Sequence, residues 1–196
     1  MEIIVKNERL CIRKMQETEQ DLKQHLDWMT DPDTMRYWDG MTVHYTYDMI
    51  LEMYRDHQKE GVTPCFIELE GSPIGYVQFD RIPNAEGYEC PEEEWNRFVR
   101  PGETVYGIDM FIGDTGCRGK GIGTEMLKLL SGTLFEKYSA DVLVVDPKTH
   151  NTRAIACYRK CGFEDCFTVP KREEQDGIWY DSLIMCLRKS ETGAEN

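Results

Sequence analysis

Two kinds of residue in this chain have the types and spacing for chemistry: a glycine-rich basic turn, and acids placed where apolar residues would be expected. The turn is "CRGKGIGT" at 117–124, with three glycines at alternate positions around Arg118 and Lys120. Glycines let a backbone approach a ligand closely, and a helix starting just after such a turn adds partial positive charge. Arg118 and Lys120 add full charges, so the turn suits a pyrophosphate. A turn chosen for tight packing is the alternative. A P-loop ends in Gly-Lys-Ser/Thr, but here Lys120 precedes Gly121. A dinucleotide fingerprint reads G-x-G-x-x-G, but here the spacing is G-x-G-x-G. Both fail, and R-x-x-G-x-G remains. Among the acids, Asp109 interrupts "VYGIDMFIG" (105–113), so it is solvated at a bulge or edge, or it lines a cleft. Asp146 ends the apolar run "DVLVVD" before Pro147. It is a turn carboxylate or, near the carboxyl end of a strand, a ligand-facing one. The run Glu92–Glu94 alone reads as a solvated face.

Composition narrows the partners. The 196 residues carry 23 Lys plus Arg against 36 Asp plus Glu, a net charge of −13. Nucleic-acid binding rests on neutralising phosphates, so that class is disfavoured. An acidic surface attracts cations, or simply keeps the chain soluble. No apolar run approaches the ~20 residues that span a bilayer, and "MEIIVKNERL" does not read as a secretory leader. A cytoplasmic location, with no membrane partner, is the expectation. The eight cysteines form no C-x-x-C pair and read as reduced core thiols. Cys157 and Cys161 share a helix face, but no His or Cys pair nearby completes a metal site. No metal is expected. His25, His44, His57 and His150 read as surface or helix residues.

The elements that must position these groups follow from periodicity. Residues 8–15 alternate as a strand. Leu22, Leu26 and Met29 recur at helical spacing. Residues 30–40 hold turn signals around one helical turn, and 46–58 make a second helix. Residues 63–82 form two β-runs joined by Glu-Gly-Ser-Pro. Residues 83–103, with three prolines and six glutamates against two arginines, read as a long loop. A strand at 104–113 leads into the glycine turn and a helix to about Tyr138. A short strand (141–146), a helix (150–163) and β-runs at 164–170 and 177–189 follow. The tail "SETGAEN" reads as frayed. The expectation is a single mixed α/β (α+β) domain over 1–196, with about seven strands and about four helices.

The segments "VYGIDMFIGDTGCRGKGIGTEMLKLL" and "LVVDPKTHNTRAIACYRKCGF" together resemble the acyl-coenzyme-A core of the GNAT N-acetyltransferase superfamily. The resemblance implies a central sheet that splays where acyl-CoA binds. It implies that the turn Arg118, Gly119, Lys120, Gly121, Ile122, Gly123 and Thr124 holds the coenzyme A pyrophosphate. It further implies that Met110, Phe111 and Ile112 hydrogen-bond the pantetheine arm, with Asn151 and Ala154 beside it and Tyr158 near the thiol sulfur. Residues 104–189 would then form the acetyl-CoA core and 1–103 mainly the acceptor side.

Over roughly residues 8–188 the chain is also similar to the aminoglycoside 6'-N-acetyltransferases. That likeness implies a polycationic small-molecule acceptor, with the antibiotic held by Trp38 and Asp39, the acids Glu92, Glu93 and Glu94, Asp109 and Asp146. It implies direct transfer from acetyl-CoA, with Asp109 as base, a backbone N–H of 110–112 at the oxyanion and Tyr158 protonating the thiolate. It also allows a homodimer. A siderophore amine or hydroxylamine, a polyamine or a protein N-terminus are alternative acceptors. A non-catalytic acyl-CoA sensor is the alternative from another class, since fold does not fix function.

Overall fold

The computed structural model describes residues 1–190, so most of the expected frayed tail lies outside the described residues. The strands are β1 (Ile3–Lys6), β2 (Leu10–Lys14), β3 (Thr63–Leu69), β4 (Ser72–Ile82), β5 (Val105–Ile112), β6 (Val142–Val145), β7 (Glu164–Gln175) and β8 (Ile178–Arg188). They form one sheet in the order β1-β2-β3-β4-β5-β6-β8-β7. The helices are α1 (Glu19–Met29), α2 (Pro32–Met35), α3 (Tyr47–Glu60), α4 (Glu92–Phe98), α5 (Ile122–Lys137) and α6 (Thr152–Lys160). The mixed α/β class is as expected. The eighth strand is β1, too short to leave a periodic signal.

Alternation along the strands gives the sheet two apolar faces. On β3, Cys65 and Ile67 join α5 and α6 in one core, while Phe66 joins α1 and α3 in another. Met126, Leu130 and Leu134 of α5 are fully buried at spacings of four. Truncating a leucine there to alanine costs roughly 2–5 kcal/mol. The second core is aromatic. His25 belongs to it: it is on a helix as expected but 2% exposed, stacked 4.4 Å from Tyr76. Burial pushes its imidazole down to about 3, so the ring is neutral.

Two local features shape the site. The parallel pair β5–β6 holds only from Val105↔Val142 to Gly107↔Val144, whereas β5 stays paired with β4 as far as Ile112. The sheet therefore opens beyond Gly107, and alternate backbone groups of 108–112 face the gap. The segment 83–103 is not a continuous loop. It holds α4, whose Trp95 and Phe98 are buried with Ile82, Tyr88, Val142 and Ile184 in a third core. A seven-residue helix is too short to display a 3.6-residue period. Its signal was the acids Glu92–Glu94 in the first turn, which complement the helix dipole.

Candidate active site

A cavity of about 310 Å³ lies at the opening between β5 and β6. Its walls include Met110, Phe111 and Ile112 from β5, and Arg118, Gly119, Gly121, Ile122, Gly123 and Thr124 from the turn and α5. Asn151, Ala154 and Tyr158 of α6 and Trp38 complete the expected residues found there. Lys120 is exposed and does not line it. Asp33, Tyr37, Arg153 and Cys157 also line the cavity and were not singled out from the sequence as binding residues.

The turn is built by glycine conformation. Gly119 (φ 73°) and Gly121 (φ 80°) are left-handed, with nothing within 4 Å of where a Cβ would sit. Backbone geometry, not crowding, demands glycine there. Gly121 is also the N-cap of α5 and offers no side-chain cap, so the first-turn N–H groups of α5 keep their capacity for an anion. Arg118 is committed to the frame. Its Nε donates to Ile112 O (2.7 Å) and its Nη2 to Thr34 Oγ1 (3.0 Å) and Gly113 O (3.3 Å), tying the turn to β5 and α2. Asn151 caps α6, its Oδ1 accepting from Ala154 N at 3.2 Å. Thr124 Oγ1 is hydrogen-bonded to Cys157 Sγ (3.3 Å), and Cys161 Sγ donates to Thr124 O (3.5 Å). The two cysteines thus join α6 to α5.

A second group of side chains meets beside the cavity. Asp109 accepts from Gln78 Nε2 at 3.1 Å. Burial first, and then the charge of Asp146, push its carboxyl up to about 7. Asp146 is raised by burial, against the opposing pull of Arg172. The Arg172 Nε lies 3.1 Å from Asp146 Oδ2. Arg172 also donates to Tyr88 O (2.8 Å) and Glu89 O (3.1 Å), and its guanidinium sits 4.7 Å from the Tyr88 ring centroid. The pairing of β7 with β8 is irregular between Val169 and Glu173, and Lys171 has φ 50°, so a bulge lies where Arg172 reaches across. Tyr158 is buried, and its phenol stays well above the usual range through burial and then the Asp109 charge.

Among the residues expected to hold an acceptor, Trp38 stands edge-on to Phe111 (5.0 Å) and Tyr76 (6.2 Å). Asp39 accepts a hydrogen bond from the Tyr45 hydroxyl. Glu93 and Glu94 instead pair with Arg97 on their own helix at 3.3 and 2.7 Å, and Glu92 is exposed. The acids that act on Asp109 are Asp146, Asp80 and Glu173. Gln78, Asp80, Arg172 and Glu173 were not foreseen. The alternation in "GYVQFDRI" places Gln78 and Asp80 on one face, but only the β4–β5 register brings that face to Asp109.

Comparison with known proteins agrees with this geometry. A model described as an acetyltransferase (GNAT) domain matches residues 17–170. The chain is 32% identical over 166 residues to an aminoglycoside N(6')-acetyltransferase type 1 of Klebsiella pneumoniae, covering 83% of this chain and 78% of that one. It is similar to the crystal structure of the aminoglycoside acetyltransferase AAC(6')-Ib in complex with coenzyme A and kanamycin, with TM-score 0.71, 30% identity and coverage of 92% and 95%. A spermidine N-acetyltransferase from Vibrio cholerae, in complex with CoA and spermine, shares the fold at TM-score 0.72 and 17% identity, over 93% and 96% of the two chains. With the opened β5–β6 pair, the uncapped glycine turn and the family match all in one place, the chain belongs to the GNAT acetyltransferase family.

Proposed function

We propose that this protein transfers the acetyl group of acetyl-CoA to the 6'-amino group of an aminoglycoside. The observation that carries this reading is Asp109: a carboxyl lifted to about 7 by burial and by the charge of Asp146, held by Gln78 and adjacent in sequence to a cavity wall. The glycine turn and the uncapped start of α5 fit the pyrophosphate of the donor. Residues 108–112, open toward the gap, supply backbone groups for the pantetheine arm. We assign residues 104–189 mainly to the donor and 1–103 mainly to the acceptor, although Asp109, Asp146 and β7 cross that division.

The chemistry follows from proton positions. An alkylammonium is mostly protonated near pH 7 and must lose a proton before it attacks. Asp109, ionised in part at that pH, accepts the proton directly or through water. Asp146 and Asp39 orient the remaining positive charge, and Trp38 forms the aromatic wall. A backbone N–H of 110–112 donates to the carbonyl oxygen as negative charge grows on it. As the carbon–sulfur bond breaks, Tyr158, held protonated, donates its proton to the departing thiolate, and the proton shed by the acetylated nitrogen restores the phenol.

The test is a panel of aminoglycosides, spermidine and a hydroxylamine siderophore with acetyl-CoA and a thiol dye. Thiol release with kanamycin or tobramycin is expected. Release only with the other acceptors would replace the aminoglycoside assignment. Coenzyme A binding with no release on any acceptor would favour a sensor. Gel filtration with light scattering tests the homodimer that the family resemblance allows.

A further inference from the structure

Lys148 is a buried cation with no role assigned above. It is 6% exposed and lies two residues past Asp146. Its Nζ lies 2.7 Å from Glu173 Oε2 and donates to the Trp38 carbonyl oxygen at 3.0 Å. Both ends of this link are fixed. Lys148 forms a β-bridge with Ser182, and its carbonyl accepts from Asn151 N at 2.8 Å. Glu173 is steadied by Ser182, whose Oγ donates to Oε1 at 3.0 Å.

The end of β7, which carries Glu173, and the turn after it grip the same segment on either side of residue 38. Gln175 Nε2 donates to Arg36 O at 2.7 Å, and Asp176 Oδ2 accepts from Met41 N at 2.8 Å. Lys148 reaches residue 38 itself. An ammonium without partners is costly to bury, so this one keeps its carboxylate and its carbonyl. The link fixes the Trp38 backbone relative to the end of β6, where Asp146 stands. Trp38 lines the cavity, and Asp39 follows it in sequence.

We propose that Lys148 is a positioning residue for the acceptor: its bond to the Trp38 carbonyl sets the Trp38–Asp39 wall against the Asp109 and Asp146 carboxylates. This inference rests on the acetyl-transfer reading above. Lys148 acts through the backbone of residue 38 and touches no reacting atom. The Lys148 ammonium bonds to Trp38 and Glu173 rather than to Arg118 or the glycine turn, and the backbone bond to Asn151 does not need the side chain, so the loss of the ammonium falls on the segment around Trp38.

The experiment compares wild type with Lys148→Met, measuring kcat and KM for kanamycin and for acetyl-CoA. The expected result is a kanamycin KM raised about tenfold, with the acetyl-CoA KM within about twofold of wild type. A kanamycin KM within about twofold of wild type overturns the proposal. Should Lys148→Met not fold, the double variant Lys148→Met/Glu173→Met takes the same test, because removing both partners leaves no lone buried charge. Backbone hydrogen exchange gives a readout independent of turnover. Amides of residues 36–42 should exchange faster in the variant while those of 119–127 keep their rates; unchanged exchange at 36–42 overturns the proposal. A wild-type protein that acetylates no aminoglycoside overturns the functional reading instead, and the exchange result still decides whether Lys148 holds the wall.

Discussion

The Gln78 side-chain amide on β4 donates to Asp109 Oδ2 on β5 at 3.1 Å, between two residues that face each other directly in the sheet register. The donor is neutral. It orients the carboxylate without adding a cation, and it only partly offsets the rise caused by burial and by Asp146. A lysine or arginine at the same place would favour ionisation and hold the carboxyl lower. Burial and the charge of Asp146, only partly offset by a neutral hydrogen bond, bring the Asp109 carboxyl to about 7.

Asp109→Asn should lower kcat about 100-fold or more while acetyl-CoA binding, followed by calorimetry, stays close to wild type. In wild type, kcat/KM should rise with pH through about 7, because the base works deprotonated. The variant should lack that limb. Stability should move the other way. A carboxyl raised from 3.8 to about 7 stabilises the fold in its protonated form, so its contribution is complete below the lower value and lost as pH climbs through the upper one. Melting temperatures at pH 5 and pH 8 should therefore fall more in wild type than in Asp109→Asn. Parallel shifts in the two proteins would show that Asp109 does not titrate in this range.

Tyr158→Phe should slow turnover about 10- to 100-fold. Burial and the charge of Asp109 keep the phenol protonated, so it remains a proton donor throughout the working range. The limb near pH 7 belongs to Asp109 and should persist in the variant. Full turnover at pH 8 would reduce Tyr158 to a packing residue against Phe163, whose ring centroid is 5.8 Å away.

Much of the cavity lining was legible because its signals are local. Arg118, Gly121 and Asn151 sit in contiguous motifs, and left-handed glycines with a helix start after them leave a mark in any sequence. Asp109 was visible as a charge breaking an apolar run. The cluster around Asp109 was legible only in part, because it is assembled by register. Asp80 and Arg172 look like ordinary surface charges until β4 is paired with β5 and a bulge turns β7 toward Asp146. Glu92–Glu94 are a signal of the opposite kind. They form a conspicuous run, yet two of them pair with Arg97, where first-turn acids and a basic residue one turn later mainly support a short helix.

That contrast yields a prediction about charge. Glu93→Gln/Glu94→Gln should change the kanamycin KM by less than about threefold, since exposed pairs contribute little. Asp146→Asn should raise it about tenfold through loss of a partly buried charge-assisted contact. Raising ionic strength from about 0.05 to 0.5 M should weaken kanamycin binding in wild type, since a polycation drawn to carboxylates is partly screened. A salt-independent KM, or a larger effect from the glutamates than from Asp146, would move the acceptor pocket toward α4.

Arg172→Met tests the other end of the acid cluster. The side chain is 10% exposed and pairs with a half-buried Asp146, so its loss leaves a carboxylate without its cation. It also releases the carbonyls of Tyr88 and Glu89, which anchor the segment before α4. A destabilisation of about 2–4 kcal/mol is expected, read from urea unfolding. The pH effect has a definite sign. Asp109 and Asp146 titrate as a pair, and removing the cation beside Asp146 makes the loss of the pair's protons harder. The acidic limb of kcat/KM should therefore shift to higher pH, with activity falling near pH 7 and recovering at higher pH. A limb that moves to lower pH, or stays fixed while stability drops, would mean that Arg172 holds the segment before α4 without tuning the carboxylates.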